Sequence, residues 1–435
     1  MGRSWSKSGG SRDLWSDLND LCLTGGRFAG SESERRARDF LRDRLAAATG
    51  TPVLPHEVDH DGWVRESCTL SRVSPTRSPL QAHSLVRSPA TPPGGIEGEM
   101  VDLGRGTLED FAAHEREIPG RLVLVRHEYM FATGHVHRRK KYLWAKERGA
   151  IGFLIASHLP GQVLVTGSSG IGAPDDIPAV GITQESAHAL ARVRDQYARV
   201  VLDLRAQCGV ATAQNLIAEI PGLTPDWVVL CAHYDGHDLA QSAMDNGTGV
   251  AVALTVARNL APLVPSLRRG LRVAFFTIEE WGLMGSRHYV DQLSEDECER
   301  IALVVNLDSV AGSSRLTALT SRFEELDRFL LGVADEVGIR LGTFRPIMAN
   351  SDHYNFVRRG IPAFRLVAGF DEPDSRLRYL LTPGDTIDKV SPTELKTAAL
   401  LTAEIVLSAC MADGPIARRR NSEEVRSMLA THPLL

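Results

Sequence analysis

Trp227-Val-Val-Leu-Cys-Ala-His233-Tyr-Asp235 is the stretch whose reading decides the fold. Its first six residues are almost wholly apolar and do not alternate. That marks a strand covered on both faces, as in a parallel sheet between helices. The run ends on a histidine and an aspartate two positions apart. Leu271 to Thr277 and Ile301 to Leu307 read the same way, the first followed by Glu279-Glu280 and the second by Asp308. Helical periodicity at 249–260, 323–337 and 392–412 alternates with these strands. The pattern predicts an α/β fold: a mixed, mostly parallel central sheet flanked by helices. Ligands of such sheets gather at the carboxyl ends of the strands, so clusters far apart in sequence share one cleft.

The residue types at those ends suit a divalent metal. Two ions ~3.5–4 Å apart need one bridging carboxylate and further N or O ligands for each. Asp245, between a Gln-Ser-Ala-Met turn and Asn246-Gly247, is placed to bridge; His233 and Asp308 would serve one ion, Glu280 and a further histidine the other. Glu279, beside Glu280, is free to take a proton from the metal-held water and pass it to the leaving amine. Asp235 can accept the second imidazole N–H of His233 and fix its tautomer. Taken singly, each signal has a plain alternative: a surface turn for His-x-Asp, a solvated pair for Glu-Glu, an ordinary turn for Asp-Asn-Gly. Four in this order, each at a strand end, point to a metallohydrolase. His135 and His137 have no acidic neighbour in sequence and read as solvated, His288 as structural, His237 and Asp238 as loop residues beside the site.

These strings resemble the co-catalytic zinc aminopeptidase family, which includes bacterial leucyl aminopeptidases, glutamate carboxypeptidase and the glutaminyl cyclases. The matching residues are Ala232-His233-Tyr234-Asp235, Ala243-Met244-Asp245-Asn246-Gly247-Thr248-Gly249, Glu279-Glu280-Trp281-Gly282-Leu283-Met284-Gly285-Ser286, Asn306-Leu307-Asp308 and Ser351-Asp352-His353-Tyr354-Asn355-Phe356. Gly25 to Ser31 is similar to the family's opening loop and helix. Gly120 to Val125, Arg148 to Gly152 and Ile177 to Ile182 resemble a protease-associated domain of small α/β-β type. The resemblance implies Zn2+, one or two ions per chain, with His233, Asp245 and Asp308 on the first, Asp245 and Glu280 on the second, and Glu279 as general acid/base. It further implies substrate contacts at Ser351, Asp352, His353 and Asn355. The family pattern closes on Tyr-His-Thr-x-x-Asp-Thr, whereas this chain has Leu380-Leu381-Thr382-Pro383-Gly384-Asp385-Thr386. Three readings stay open: a substitute such as His353 or a water at the second ion, a single-ion site, or lost turnover. Keeping a buried carboxylate cluster without use is costly, which argues against the last.

The expected activity is therefore an aminopeptidase-type exopeptidase acting on a peptide or N-acyl amino-acid-like substrate. The alternatives are a specialised amidohydrolase, carboxypeptidase-like or acyl-transferring enzyme on the same scaffold, or a catalytically impaired binding protein. Arg365 and Arg376 to Arg378 are the groups that would meet a substrate carboxylate.

At 435 residues the chain suits two domains,. The expected division is a flexible N-terminus at 1–12, a discontinuous catalytic domain at 13–65 and 206–413, an insert at 66–205 and a C-terminal tail at 414–435. The Pro/Ser-rich stretch from Val73 to Gly98 reads as the crossing between domains. A hydrophobic share of 43%, a charged share of 24% and a net charge of −5 describe a globular protein with no nucleic-acid footprint,. No apolar run approaches a membrane span, and neither a secretory signal nor a disulfide spacing is visible, which points to the cytoplasm. The sequence leaves the oligomeric state open.

Overall fold

The computed structural model describes residues 10–191 and 197–430. They form two compact units. One takes the chain up to Asp59, Thr212–Leu380 and the chain from Asp385 onward; the other takes His60–Ala211 and Leu381–Gly384. The chain changes unit inside two 22-residue strands, Val53–Ser74 and Arg199–Ile220, which pair with each other. The stretch 73–98 is thus not the crossing: it holds the short strands Ser78–Leu80 and Ala82–Ser84 and the start of Ile96–Asp102, all in the second unit. Strand propensity shows poorly there because these strands are three residues long or broken by proline.

In the first unit the strand order is Leu341–Phe344, Leu316–Leu319, Ala363–Ala368, Ile301–Leu307, Trp227–His233, Gly270–Phe276 and the end of Arg199–Ile220. The four from Ala363–Ala368 to Gly270–Phe276 are mutually parallel; Leu316–Leu319 and the end of Arg199–Ile220 flank them antiparallel, and Leu341–Phe344 runs parallel to Leu316–Leu319. His233 stands opposite Phe276, and Asn306 opposite Cys231. Parallel register thereby brings residues 233, 277–280 and 308 to one edge, on strands ~4.8 Å apart. Helix Thr248–Leu260 carries no charge before Arg258 and is buried along nearly its whole length, packed against Gly10–Cys22, Glu32–Thr49 and Pro392–Met411.

The amino end differs from expectation. Helix Gly10–Cys22 begins inside the span expected to be flexible, and residues 1–9 lie outside the described residues. At the other end Ser422–Ala430 is a helix with Val425 and Met428 buried, docked through Arg419 to Glu295 and Arg420 to Glu325. The Ser31 cap forms, its hydroxyl accepting from the Glu34 amide at 3.2 Å. The Glu34 side chain does not reach back to close a capping box. It is buried and accepts the Tyr234 hydroxyl at 2.6 Å instead.

The second unit runs parallel through Ile96–Asp102, Leu122–Arg126, Gly152–Ala156 and Ala179–Ile182, then antiparallel to Ala82–Ser84. Alternate residues face two apolar layers, one built on Val123, Val125, Phe153 and Ile155, the other on Leu122, Leu124, Leu154 and Val180. Leu381 belongs to the first of these layers, and its carbonyl accepts the Thr166 amide at 2.8 Å. Helix Gln184–Ala191 follows Ala179–Ile182.

Candidate active site

The strand ends meet as the sequence suggests. His233 Nε2 lies 3.1 Å from Asp245 Oδ1 and 3.7 Å from Asp308 Oδ1. Among the described residues, two groups have donor atoms within 4.8 Å of one another: His233 with Asp245 and Asp308, and His233 with Glu279 and Glu280. All five side chains are buried or nearly so.

Each donor is held by identifiable neighbours. His233 Nδ1 faces the Asp235 carbonyl oxygen at 3.2 Å, while the Asp235 carboxylate stands 3.6 Å away. That carboxylate accepts the backbone amides of Glu279 at 3.1 Å and Glu280 at 3.2 Å. Asp235 therefore aims the glutamate pair as well as steadying the imidazole. Asp385 accepts the amides of Met244 at 2.7 Å and Asp245 at 3.2 Å, fixing the turn that presents Asp245. Asp308 takes the Arg365 guanidinium at 3.0 Å and the Ser351 hydroxyl at 2.5 Å.

The electrostatics divide the acids in two. Burial alone would raise the Asp308 pKa, but Arg365 and His233 outweigh it and hold the group well below the usual carboxylate range. Burial drives Glu279 and Glu280 well above it. Burial likewise carries Asp352 up to about 7. A carboxylate set of this density lacks enough cationic partners to stay ionised, since each buried charge costs several kcal/mol when unpaired. Moreover, Glu280 Oε1 is buried with no hydrogen-bond partner. A divalent cation is the group that such donors fit: hard oxygens and one imidazole, at tetrahedral zinc spacing.

The residues expected to contact substrate lie beside this cluster, inside the protein. Ser351, Asp352, His353 and Asn355 are all buried. Ser351 bridges Asn306 and Asp308, and Asn355 donates to the Leu283 carbonyl and the Ser286 hydroxyl. Burial and the Arg365 charge push the His353 imidazole down to about 3. Short helix His353–Val357 packs against Met284–Gln292 and the sheet, and both ring nitrogens of His353 are buried without a hydrogen-bond partner. Arg365 is 2% exposed and pairs with Asp308, and Arg376 pairs with Glu394.

Sequence reading set His237 beside the site as a loop or supporting residue and passed over Arg27. His237 Nε2 lies 2.7 Å from Glu280 Oε2, with the side chain 5% exposed. Arg27, fully buried, donates to the carbonyls of Tyr234 at 2.7 Å, Gln241 at 2.6 Å and Ser242 at 2.7 Å, clamping the loop that carries His237. A histidine two residues beyond Asp235 was the available signal; nothing local tied it to Glu280.

One histidine and a set of buried carboxylates at the carboxyl edge of a parallel sheet define a metallohydrolase. The model of Peptidase family M28 matches residues 215–406, and the PA domain model matches 89–190. Aminopeptidase YwaD of Bacillus subtilis is 30% identical over 339 residues, spanning 76% of this chain and 70% of that protein. Carboxypeptidase Q of Bos taurus is 25% identical over 411 residues, spanning 89% and 83%. A zinc aminopeptidase from Bacillus subtilis superposes with a TM-score of 0.75 at 25% identity, covering 95% of this chain and 97% of its own. A Peptidase M28 precursor from Shewanella amazonensis shares the fold, with a TM-score of 0.77 at 24% identity over 96% of each chain. The chain belongs to peptidase family M28 and carries an inserted PA domain; it is a metal-dependent peptide hydrolase.

Proposed function

We propose that the protein is an aminopeptidase-type exopeptidase using zinc at the 233–245–308 edge, with Glu279 as general acid/base. The observation that carries this reading is the convergence of His233, Asp245 and Asp308 with Glu279 and Glu280 in one buried cluster. His233, Asp245 and Asp308 would hold one ion; Asp245 and Glu280 supply ligands for another. Zinc bound there supplies a water whose pKa falls towards ~7. Glu279 would accept the proton of the attacking water as its oxygen adds to the scissile carbonyl carbon. The same carboxyl then returns the proton to the leaving nitrogen as the C–N bond breaks. Asp235 keeps Glu279 in place through its backbone amide.

Recognition of a free amine fits the charge of the site. Surplus carboxylates attract an ammonium, while Arg365, the cation that a carboxy-end reading needs, is committed to Asp308. The aminopeptidases among the relatives support the same choice. Six free cysteines suit a reducing compartment such as the cytoplasm,, and no described helix is long and apolar enough to cross a membrane. A related protein carries the name "Probable lipoprotein aminopeptidase LpqL", so cell fractionation decides the address. The catalytic test is hydrolysis of aminoacyl chromogenic amides beside their N-acetylated counterparts. Turnover of the free amines with zinc bound supports the proposal; turnover of the acylated series alone overturns it.

A further inference from the structure

The expected fifth ligand position holds Leu381, which lies in the apolar core of the second unit. Glu280 in the first unit nevertheless has an imidazole beside it. We propose that His237 is the nitrogen ligand of the second metal ion, completing with Glu280 and Asp245 the site that Leu381 cannot serve. This deepens the metallopeptidase reading and rests on it.

Three observations meet here. His237 Nε2 stands 2.7 Å from Glu280 Oε2, and two donors on a tetrahedral zinc are roughly 3.3 Å apart. Replacing the shared hydrogen with a cation thus asks the pair to open by about half an ångström. Glu280 also offers Oε1, buried with no hydrogen-bond partner, as a further donor atom.

Second, the loop is built to hold its histidine still. The His237 amide donates to Ser242 Oγ at 2.9 Å, and Gly236 N donates to the Arg27 carbonyl at 3.1 Å. Arg27 in turn grips the carbonyls of residues 234, 241 and 242. A Cβ on Gly26 would lie 2.0 Å from the His237 carbonyl oxygen, so only glycine lets the opening loop pack this closely. Such pinning lowers the ordering cost of binding an ion.

Third, Asp385 still fixes the turn that presents Asp245. The segment following Leu381 keeps its buttressing role while the imidazole comes from elsewhere in the chain. His237 touches Glu280, whereas the first group is complete without it; His237, Glu280 and Asp245 do not form a group within 4.8 Å among the described residues, so binding the second ion requires them to draw together.

The test is metal binding by the full-length protein: equilibrium dialysis against Zn2+ with elemental analysis, and zinc-edge X-ray absorption of the loaded protein. Wild type is expected to bind two ions with an average of one imidazole per zinc. His237→Ala should bind the first ion as before and lose the second, its affinity falling by more than the roughly 10–100-fold that an outer hydrogen bond is worth. His237→Asp, which restores a donor, should recover part of the second ion's binding. Circular dichroism of each metal-free variant checks the fold. Two ions in His237→Ala within that 10–100-fold window, or one ion in wild type unaffected by the substitution, would show that His237 merely holds Glu280. Either result overturns this inference and leaves the metal centre standing. A wild-type protein binding no zinc sinks the metallopeptidase reading itself, and this inference with it.

Discussion

The two units differ in how their buried charges are paired. At the strand edge of the first, Asp235, Asp245, Glu279, Asp308 and Asp352 are inside the protein, and only a few cations meet them. The second buries bases: His127, Arg138 and Lys141. Lys141 reaches Glu128 at 2.6 Å and the carbonyls of Arg105 and Arg126 at 2.8 and 2.9 Å, so that unit closes its own charge. His137, read from the sequence as solvated, is half-buried, and its ring caps helix Arg138–Glu147 by accepting the Arg139 amide at 3.2 Å. A buried charge with internal partners is structural, whereas a buried surplus of one sign needs something from outside the chain. That contrast locates the chemistry in the first unit.

The sharpest way to break the comparison is at Glu279. Glu279→Gln keeps the volume and removes the proton acceptor, so kcat should fall by roughly 10²–10⁴ with little change in bound zinc. Steady-state kinetics with metal analysis on the same preparation checks both. Retained turnover would move the general base to another residue.

Charge deletion in each unit comes next. Arg365→Met strands Asp308 in the interior and should cost about 3–5 kcal/mol in the metal-free protein. Added zinc should recover part of that loss, because an ion at Asp308 supplies the missing charge. Lys141→Met leaves two carbonyls unsatisfied and should cost about 1–3 kcal/mol, since Glu128 keeps Arg105 as a partner,. Its loss should not respond to zinc. Denaturant titrations with and without zinc measure both, and a zinc response in Lys141→Met would erase the distinction.

A smaller effect is expected from pH. Burial, then His158, Arg138 and Lys141, depress the His127 pKa well below 6.5; burial, Arg138 and His135 do the same to His137. For a base depressed in the folded state, the unfolded chain binds more protons once pH drops below 6.5. The second unit should therefore hold full stability above 6.5 and lose it progressively as pH falls from there. Hydrogen exchange of peptides from 122–156, followed between pH 7.5 and 5, should show protection fading on the acid side. Protection that rises on acidification would contradict the sign.

Much of the first unit was readable because its signals are local. An apolar run ending in His233 or Asp308 declares both a strand and its chemical end. The long strands were not legible as wholes because their burial alternates weakly over 22 residues and the chain changes unit part-way. Ser351, Asp352, His353 and Asn355 were recognisable as a motif, yet motif strings carry no information on which way a side chain faces. Their helix turns them inward, where Ser351 supports Asp308.

Residue order and hydrophobic pattern were enough to indicate an α/β metallohydrolase and to single out its strand-end acids and the Glu279–Glu280 pair, because each of these is written within a few neighbouring positions. Which of these side chains come together was decided by folding: parallel register aligns three strand ends, Arg27 clamps the loop that sets His237 against Glu280, and Leu381 is drawn into another core. Those outcomes depend on contacts between segments far apart in the chain, where proximity comes from packing and has no local signature.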